Sequence, residues 1–137
     1  MPLGRILLAL ALFSVLSAVG LSGADAGGGN VMFVQNGVFT HPADKGTWKM
    51  TGAIADAGTF VGVCAPCNNQ VANLRRAYRG KKGTFVLLHR ITFPKDSWTL
   101  LSGTGFYKGL HGKGTCIVHI IVNEVSFRDP CAGVISR

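Results

Sequence analysis

The stretch Ser102-Gly-Thr-Gly-Phe-Tyr-Lys-Gly-Leu-His-Gly112 decides the fold. It is entered from the strand-like run Ser97-Trp-Thr-Leu-Leu101 and packs four glycines and the aromatic pair Phe106-Tyr107 into one turn region. Glycine reaches backbone angles closed to other residues and lets neighbouring strands approach closely. The segment therefore reads as a tightly bent connection between two strands of a small β-barrel.

Working outward, the rest of the chain is β-rich. Thr47 to Ala55 alternates, with Trp48, Met50 and Ile54 on one face and Gly52 where a bulge would fit. Gly83 to Phe93 places Phe85, Leu87, His89 and Ile91 on one side, and Pro94 ends it. Val31 to Val34, Thr59 to Val63, Trp98 to Leu101 and Thr115 to Val125 are further strands. Asn68 to Gly80 reads two ways. Val71, Leu74 and Tyr78 lie at helical spacing, but the stretch also fits the first arm of a hairpin turning at Gly80-Lys-Lys-Gly83, and strand is preferred. Short runs at this spacing predict a barrel or sandwich rather than alternating α/β units.

Aligned on the 102–112 stretch, Gly103, Thr104, Gly105, Tyr107 and Gly112 match the recurrent glycine and aromatic positions of allene oxide cyclases and dirigent proteins. Tyr107 stands where those families usually carry Phe. Gly109 resembles the cyclase version and Lys108 the basic residue of the dirigent version. Gly46-Thr-Trp48, Gly52 to Phe60 and Gly83-Thr-Phe85 look like exported bacterial barrel proteins of the same superfamily. The resemblance implies an all-β fold: a small antiparallel eight-stranded β-barrel with a ligand-sized interior. No catalytic residue transfers by position.

The amino terminus has the pattern of a secretory signal peptide. Arg5 supplies the positive start, Ile6 to Val19 the apolar run, and Ala24-Asp-Ala26 the small-x-small cleavage pattern. The run is shorter than the ~20 residues a spanning helix needs, so no transmembrane anchor is expected. Residues 1–26 are thus read as leader and 27–137 as one secreted barrel domain. Taking 26 from 137 leaves 111 residues, which include neither Arg5 nor Asp25. The leader's removal therefore leaves 13 basic residues against 5 acidic ones. Four cysteines in an exported chain point to disulfides. Three pairings of Cys64, Cys67, Cys116 and Cys131 stay open, the local one, 64 with 67 and 116 with 131, being preferred.

The functional readings compete. Arg75, Arg76, Arg79, Lys81 and Lys82 lie in an acid-free stretch that would attract an anionic polymer or surface. Trp48, Trp98 and Tyr107, with Asp56, His119 and Glu124, are candidates to line a pocket for a small apolar ligand. Asp96 and Asp129 sit beside turn signals, which leaves Asp56 and Glu124 as the preferred pocket acids. Cys64-Ala-Pro-Cys67 after a strand and before a helical alternative could begin a thiol–disulfide oxidoreductase. The histidines include no pair at metal-ligand spacing, so neither metal nor cofactor is expected. The Gly103-Thr-Gly105 and Gly112-Lys-Gly114 spacing fails the phosphate-loop pattern. The primary expectation is a non-catalytic binding barrel, able to self-associate. The alternative is a cyclase- or dirigent-like enzyme acting on a hydrophobic substrate, which an acid pair lining a hollow interior would favour.

Overall fold

The computed structural model describes residues 28–68, 70–122 and 125–137. The proposed leader, residues 1–26, and the candidate Glu124 lie outside the described residues. Among the described residues nine strands run in order: β1 (Gly29–Thr40), β2 (Ala43–Gly52), β3 (Asp56–Cys67), β4 (Ala72–Gly80), β5 (Thr84–Thr92), β6 (Lys95–Gly103), β7 (His111–Ile117), β8 (His119–Val122) and β9 (Ser126–Ser136). Each of β1 to β6 pairs antiparallel with the next, β7 pairs with β9, and β9 returns to β1, from Gly29 opposite Ile135 to Val38 opposite Ser126. The result is a closed eight-stranded antiparallel barrel. β7 and β8 together form one interrupted strand along β9, broken at Val118, whose N–H bonds instead to the Pro94 carbonyl.

The two-residue period of each strand sorts its side chains. In β5 Phe85, Leu87 and His89 point in; in β2 Trp48 and Met50 do so; in β6 Asp96, Trp98 and Leu100. The ambiguous 68–80 segment is strand from Ala72 onward, with Leu74, Arg76 and Tyr78 inward and Arg75, Ala77 and Arg79 outward. Helical spacing gives way because β3 and β5 both need this segment to complete their ladders.

Aromatic rings fill most of the interior. Tyr78 stacks on Phe85 with ring centroids 4.7 Å apart, and Phe85 lies 4.5 Å from Tyr107. Trp48 meets Phe85 edge-on at 5.2 Å, and Phe33 meets Trp98 at 5.6 Å. Room for the Trp98 indole comes from Gly114 and Gly133, where an added Cβ would collide with the ring.

The 102–112 stretch closes one end. A single 3-10 turn, Gly105–Tyr107, folds under the barrel, and the Tyr107 hydroxyl donates to Asp56 Oδ2 at 2.7 Å. Gly105 takes φ +59, and a Cβ there would sit 2.6 Å from the Lys82 carbonyl oxygen. The other end is bounded by the β1–β2 and β5–β6 turns and by Asn68 and Val125. A cavity opens there.

Candidate functional site: the charged floor of the barrel mouth

Among the described residues, six polar or charged side chains are buried inside the barrel: Gln35, Asp44, Arg76, His89, Asp96 and Asp129. All occupy inward positions of their strands. Arg76 on β4 donates to Asp44 Oδ2 on β2 through Nε at 2.8 Å and Nη2 at 2.6 Å, and its Nη1 lies 3.8 Å from Asp129 Oδ2 on β9. Its guanidinium also lies over the rings of Phe60 and Phe127, 5.4 and 5.0 Å from their centroids, an arrangement that suits a weakly hydrated planar cation. Burial opposes the Arg76 charge, but Tyr78 and the Asp44 and Asp129 carboxylates outweigh it and hold the group above its ordinary value. Burial pushes the Asp129 carboxyl up to about 6 despite the opposing pull of Arg76.

From Asp129 a line of hydrogen bonds crosses the barrel. Gln35 Nε2 donates to Asp129 Oδ2 at 3.2 Å, and the Tyr78 hydroxyl lies 2.6 Å from Gln35 Oε1. The same hydroxyl is 2.8 Å from His89 Nε2, and His89 Nδ1 is 2.7 Å from Asp96 Oδ2. Burial holds the His89 imidazole below its ordinary value, more strongly than its Asp96 partner lifts it. His89, Asp96 and Cys116 lie close enough to suggest metal ligands, but the Cys116 sulfur is committed to the disulfide with Cys131. The two remaining groups fall short of the three or four a zinc site requires.

Above this floor the mouth holds a cavity of about 260 Å³ that is open to solvent. Asp44, Arg76 and Asp129 form its polar end, and Phe39, Phe93, Val118, Ile120, Val125 and Phe127 its apolar wall. Three atoms of that polar end are buried without a hydrogen-bond partner: Asp44 Oδ1, Arg76 Nη1 and Asp129 Oδ1. Buried polar groups left unpaired cost about 1–3 kcal/mol each, more when charged. One donor and two acceptors thus stand unsatisfied at the base of an apolar cup. Deeper in, Trp98 Nε1 and Asp96 Oδ1 are likewise unpaired.

The structure sorts the sequence-based candidates. Trp48, Trp98 and Tyr107 are buried, but none lines the mouth cavity; they belong to the aromatic filling below it. Asp56 lies at the closed end, partly buried. Burial opposes its ionisation, but the Tyr107 hydroxyl and the N–H groups of Ala57, Lys82 and Lys81 outweigh this and hold the carboxyl below its ordinary value. His119 is exposed on β8. Arg76 leaves the basic set, because strand alternation turns it inward while Arg75, Arg79, Lys81 and Lys82 stay exposed. Asp96 and Asp129, set aside beside their turns, prove to be the interior acids together with Asp44. Their signal was parity: each stands two residues from an inward apolar residue, Trp98 in one strand and Phe127 in the other.

The cysteines pair locally, Cys64 with Cys67 and Cys116 with Cys131. A strand follows Cys67 rather than a helix, so the helix N-terminus that activates a thioredoxin-type thiol is missing among the described residues. No helix among the described residues is long and apolar enough to cross a membrane.

No family model matches this chain, and no curated protein matches it. Among solved structures it is similar to two pterocarpan synthase dirigent proteins. One is 9% identical with a TM-score of 0.47, over 79% of this chain and 92% of that one. The other is 9% identical with a TM-score of 0.46, over 91% of this chain and 97% of that one.

Proposed function

We propose that this barrel is a binding protein for a small, mostly apolar molecule carrying a hydroxyl group, held end-on in the mouth. The observation that carries the reading is the unpaired trio at the cavity floor. A hydroxyl accepts one hydrogen bond and donates another. It therefore satisfies Arg76 Nη1 and one carboxylate oxygen together. A carboxylate ligand would face two acids and one base, and a hydrocarbon would leave the trio unpaired. At about 260 Å³ the cavity lies just below the usual range for small-molecule sites, which suits a single ring.

Benzyl alcohol, toluene and benzoate separate these cases. Titrated into the isotope-labelled protein, benzyl alcohol is expected to shift amide signals near Phe39, Val118 and Phe127. Its affinity should exceed that of toluene by roughly three- to tenfold, the contribution of one net hydrogen bond. Benzoate should bind more weakly than either. Equal affinities for the alcohol and toluene would remove the hydroxyl from the reading, and shifts confined to the outer strand faces would remove the cavity.

A second reading is favoured by one further observation. Two acids, Asp44 and Asp129, line the mouth cavity, and Asp129 is pushed up to about 6. A carboxyl poised there can give or take a proton near neutral pH, which fits acid–base chemistry on the bound molecule. Turnover of a hydroxylated substrate that disappears in Asp129→Asn would replace the binding reading with this one.

A further inference from the structure

Protons are too few for the line from Asp129 to Asp96. Five groups on five strands, Asp129 (β9), Gln35 (β1), Tyr78 (β4), His89 (β5) and Asp96 (β6), are joined by four hydrogen-bond links of 2.6 to 3.2 Å. Each link needs one proton between its two atoms. Ionised carboxylates at the two ends only accept. The Gln35 amide can place one proton in the line, the Tyr78 hydroxyl one, and a neutral His89 imidazole one. Three protons cannot fill four links.

The shortfall does not depend on how the amide or ring is oriented, which the heavy atoms alone do not fix. With Gln35 Nε2 toward Asp129, the Tyr78 proton goes to Gln35 Oε1 and His89 Nε2–H points at Tyr78. Nδ1 then faces Asp96 with no proton between them. With the amide turned over and every bond reversed, the empty link moves to the Asp129 end. Either way two buried acceptors confront each other. Gln35, Tyr78, His89 and Asp96 are sealed from solvent and Asp129 meets only the mouth cavity, so no bulk water reaches the inner links.

Charge points the same way. The groups facing the line are Arg76 from β4 and Asp44 from β2. β3 contributes Phe60, β7 and β9 the Cys116–Cys131 disulfide, and β8 the backbone of His119, whose side chain is exposed. One guanidinium against three ionised aspartates leaves two unbalanced negative charges in a low-dielectric interior, and one added proton halves the imbalance.

We infer that the buried line from Asp129 to Asp96 holds a fourth, shared proton, a store that opens on the mouth cavity at Asp129. The proton rests at the Asp129 end, or on His89 or Asp96 at the other, and the hydrogen bonds between reverse direction to follow it. Asp129 and His89, joined through Gln35 and Tyr78, titrate as one unit. Burial, which already lifts the Asp129 carboxyl to about 6, favours the loaded form. A hydroxyl that donates to Asp129 Oδ1 favours the carboxylate there and drives the proton to the His89–Asp96 end. The store itself does not depend on the binding proposal, since it exists in the empty barrel.

The test uses the ligand-free protein at about pH 6. Infrared spectra with ¹³C-labelled aspartate reveal a protonated carboxyl, and ¹⁵N shifts of His89 reveal its tautomer and charge. One proton beyond a neutral imidazole and ionised acids is expected, either as an Asp129 or Asp96 carboxylic acid or as a His89 imidazolium. Tyr78→Phe cuts the line into two pieces, Gln35–Asp129 and His89–Asp96, each filled by its own proton. The apparent pKa of the extra proton should then fall by about one unit or more. Asp129→Asn supplies an N–H in place of the acid's proton and should abolish the shared titration even if Tyr78→Phe fails to fold. A neutral imidazole with every acid ionised in the parent overturns the inference, as does a titration unchanged in Asp129→Asn. Benzyl alcohol should change the His89 ¹⁵N shifts in the parent and not in Asp129→Asn. Binding without that change overturns the coupling while leaving the binding proposal intact.

Discussion

Neighbouring arginines of the same strand live in different worlds. Arg75 points to solvent, while Arg76 is 2% exposed, bonded to Asp44 and set over Phe60 and Phe127. Removing one partner of a buried charge network leaves the others unpaired, at a cost of about 3–5 kcal/mol. Arg76→Met keeps much of the side-chain volume but strands Asp44 and Asp129 without a counter-charge. Urea unfolding should show a loss of that size. Arg75→Met on the same strand should stay within ~0.5 kcal/mol, as surface changes do. Comparable losses for the two would mean that the Arg76 network does not hold the mouth together.

Elements were more legible in the sequence than their polar contents. Alternation identified the inward face of β5 through Phe85, Leu87 and His89, and that of β2 through Trp48 and Met50. The glycine-rich stretch was read as a bend, and it is one: the turn that closes the barrel's far end. There the cost of a side chain is definite, because Gly105 has φ +59 and no room toward the Lys82 carbonyl. Gly105→Val should lower stability by at least ~1 kcal/mol, whereas exposed Lys108→Ala should stay within ~0.5; thermal midpoints of both variants give the comparison. What the sequence hid were the inward charges. A pattern reading sends polar residues to the solvent face, so Arg76 joined its basic neighbours, and Asp96 and Asp129 were assigned to their turns. Only strand parity within a closed ring brings Asp44, Arg76 and Asp129 together, although they lie far apart in the chain. The same limit made Thr115 to Val125 look like one strand, when the break at Val118 is set by a backbone bond to Pro94.

At the scale of the whole molecule, the chain carries a formal net charge of +8, and the ring of strands decides where much of it is displayed. The outer face of β4 presents Arg75 and Arg79, and the β4–β5 turn presents Lys81 and Lys82, all exposed. These four, without Arg76, are the basic set that an anionic polymer can reach. Neutralising phosphates or sulfates releases counterions, so heparin or duplex DNA should bind without sequence preference and weaken steeply with salt. Replacing the four by Gln should reduce the slope of log affinity against log salt on DNA by about 0.9 for each phosphate no longer neutralised. The barrel should keep its thermal midpoint, because none of the four is buried. Adding Arg76→Gln to the set would confuse the measurement by unfolding the mouth, so the four-fold variant is the informative one. Undiminished binding by that variant would place the polymer site on another face. No binding by the parent even at low salt would leave these residues with solubility and protection of the sheet as their role.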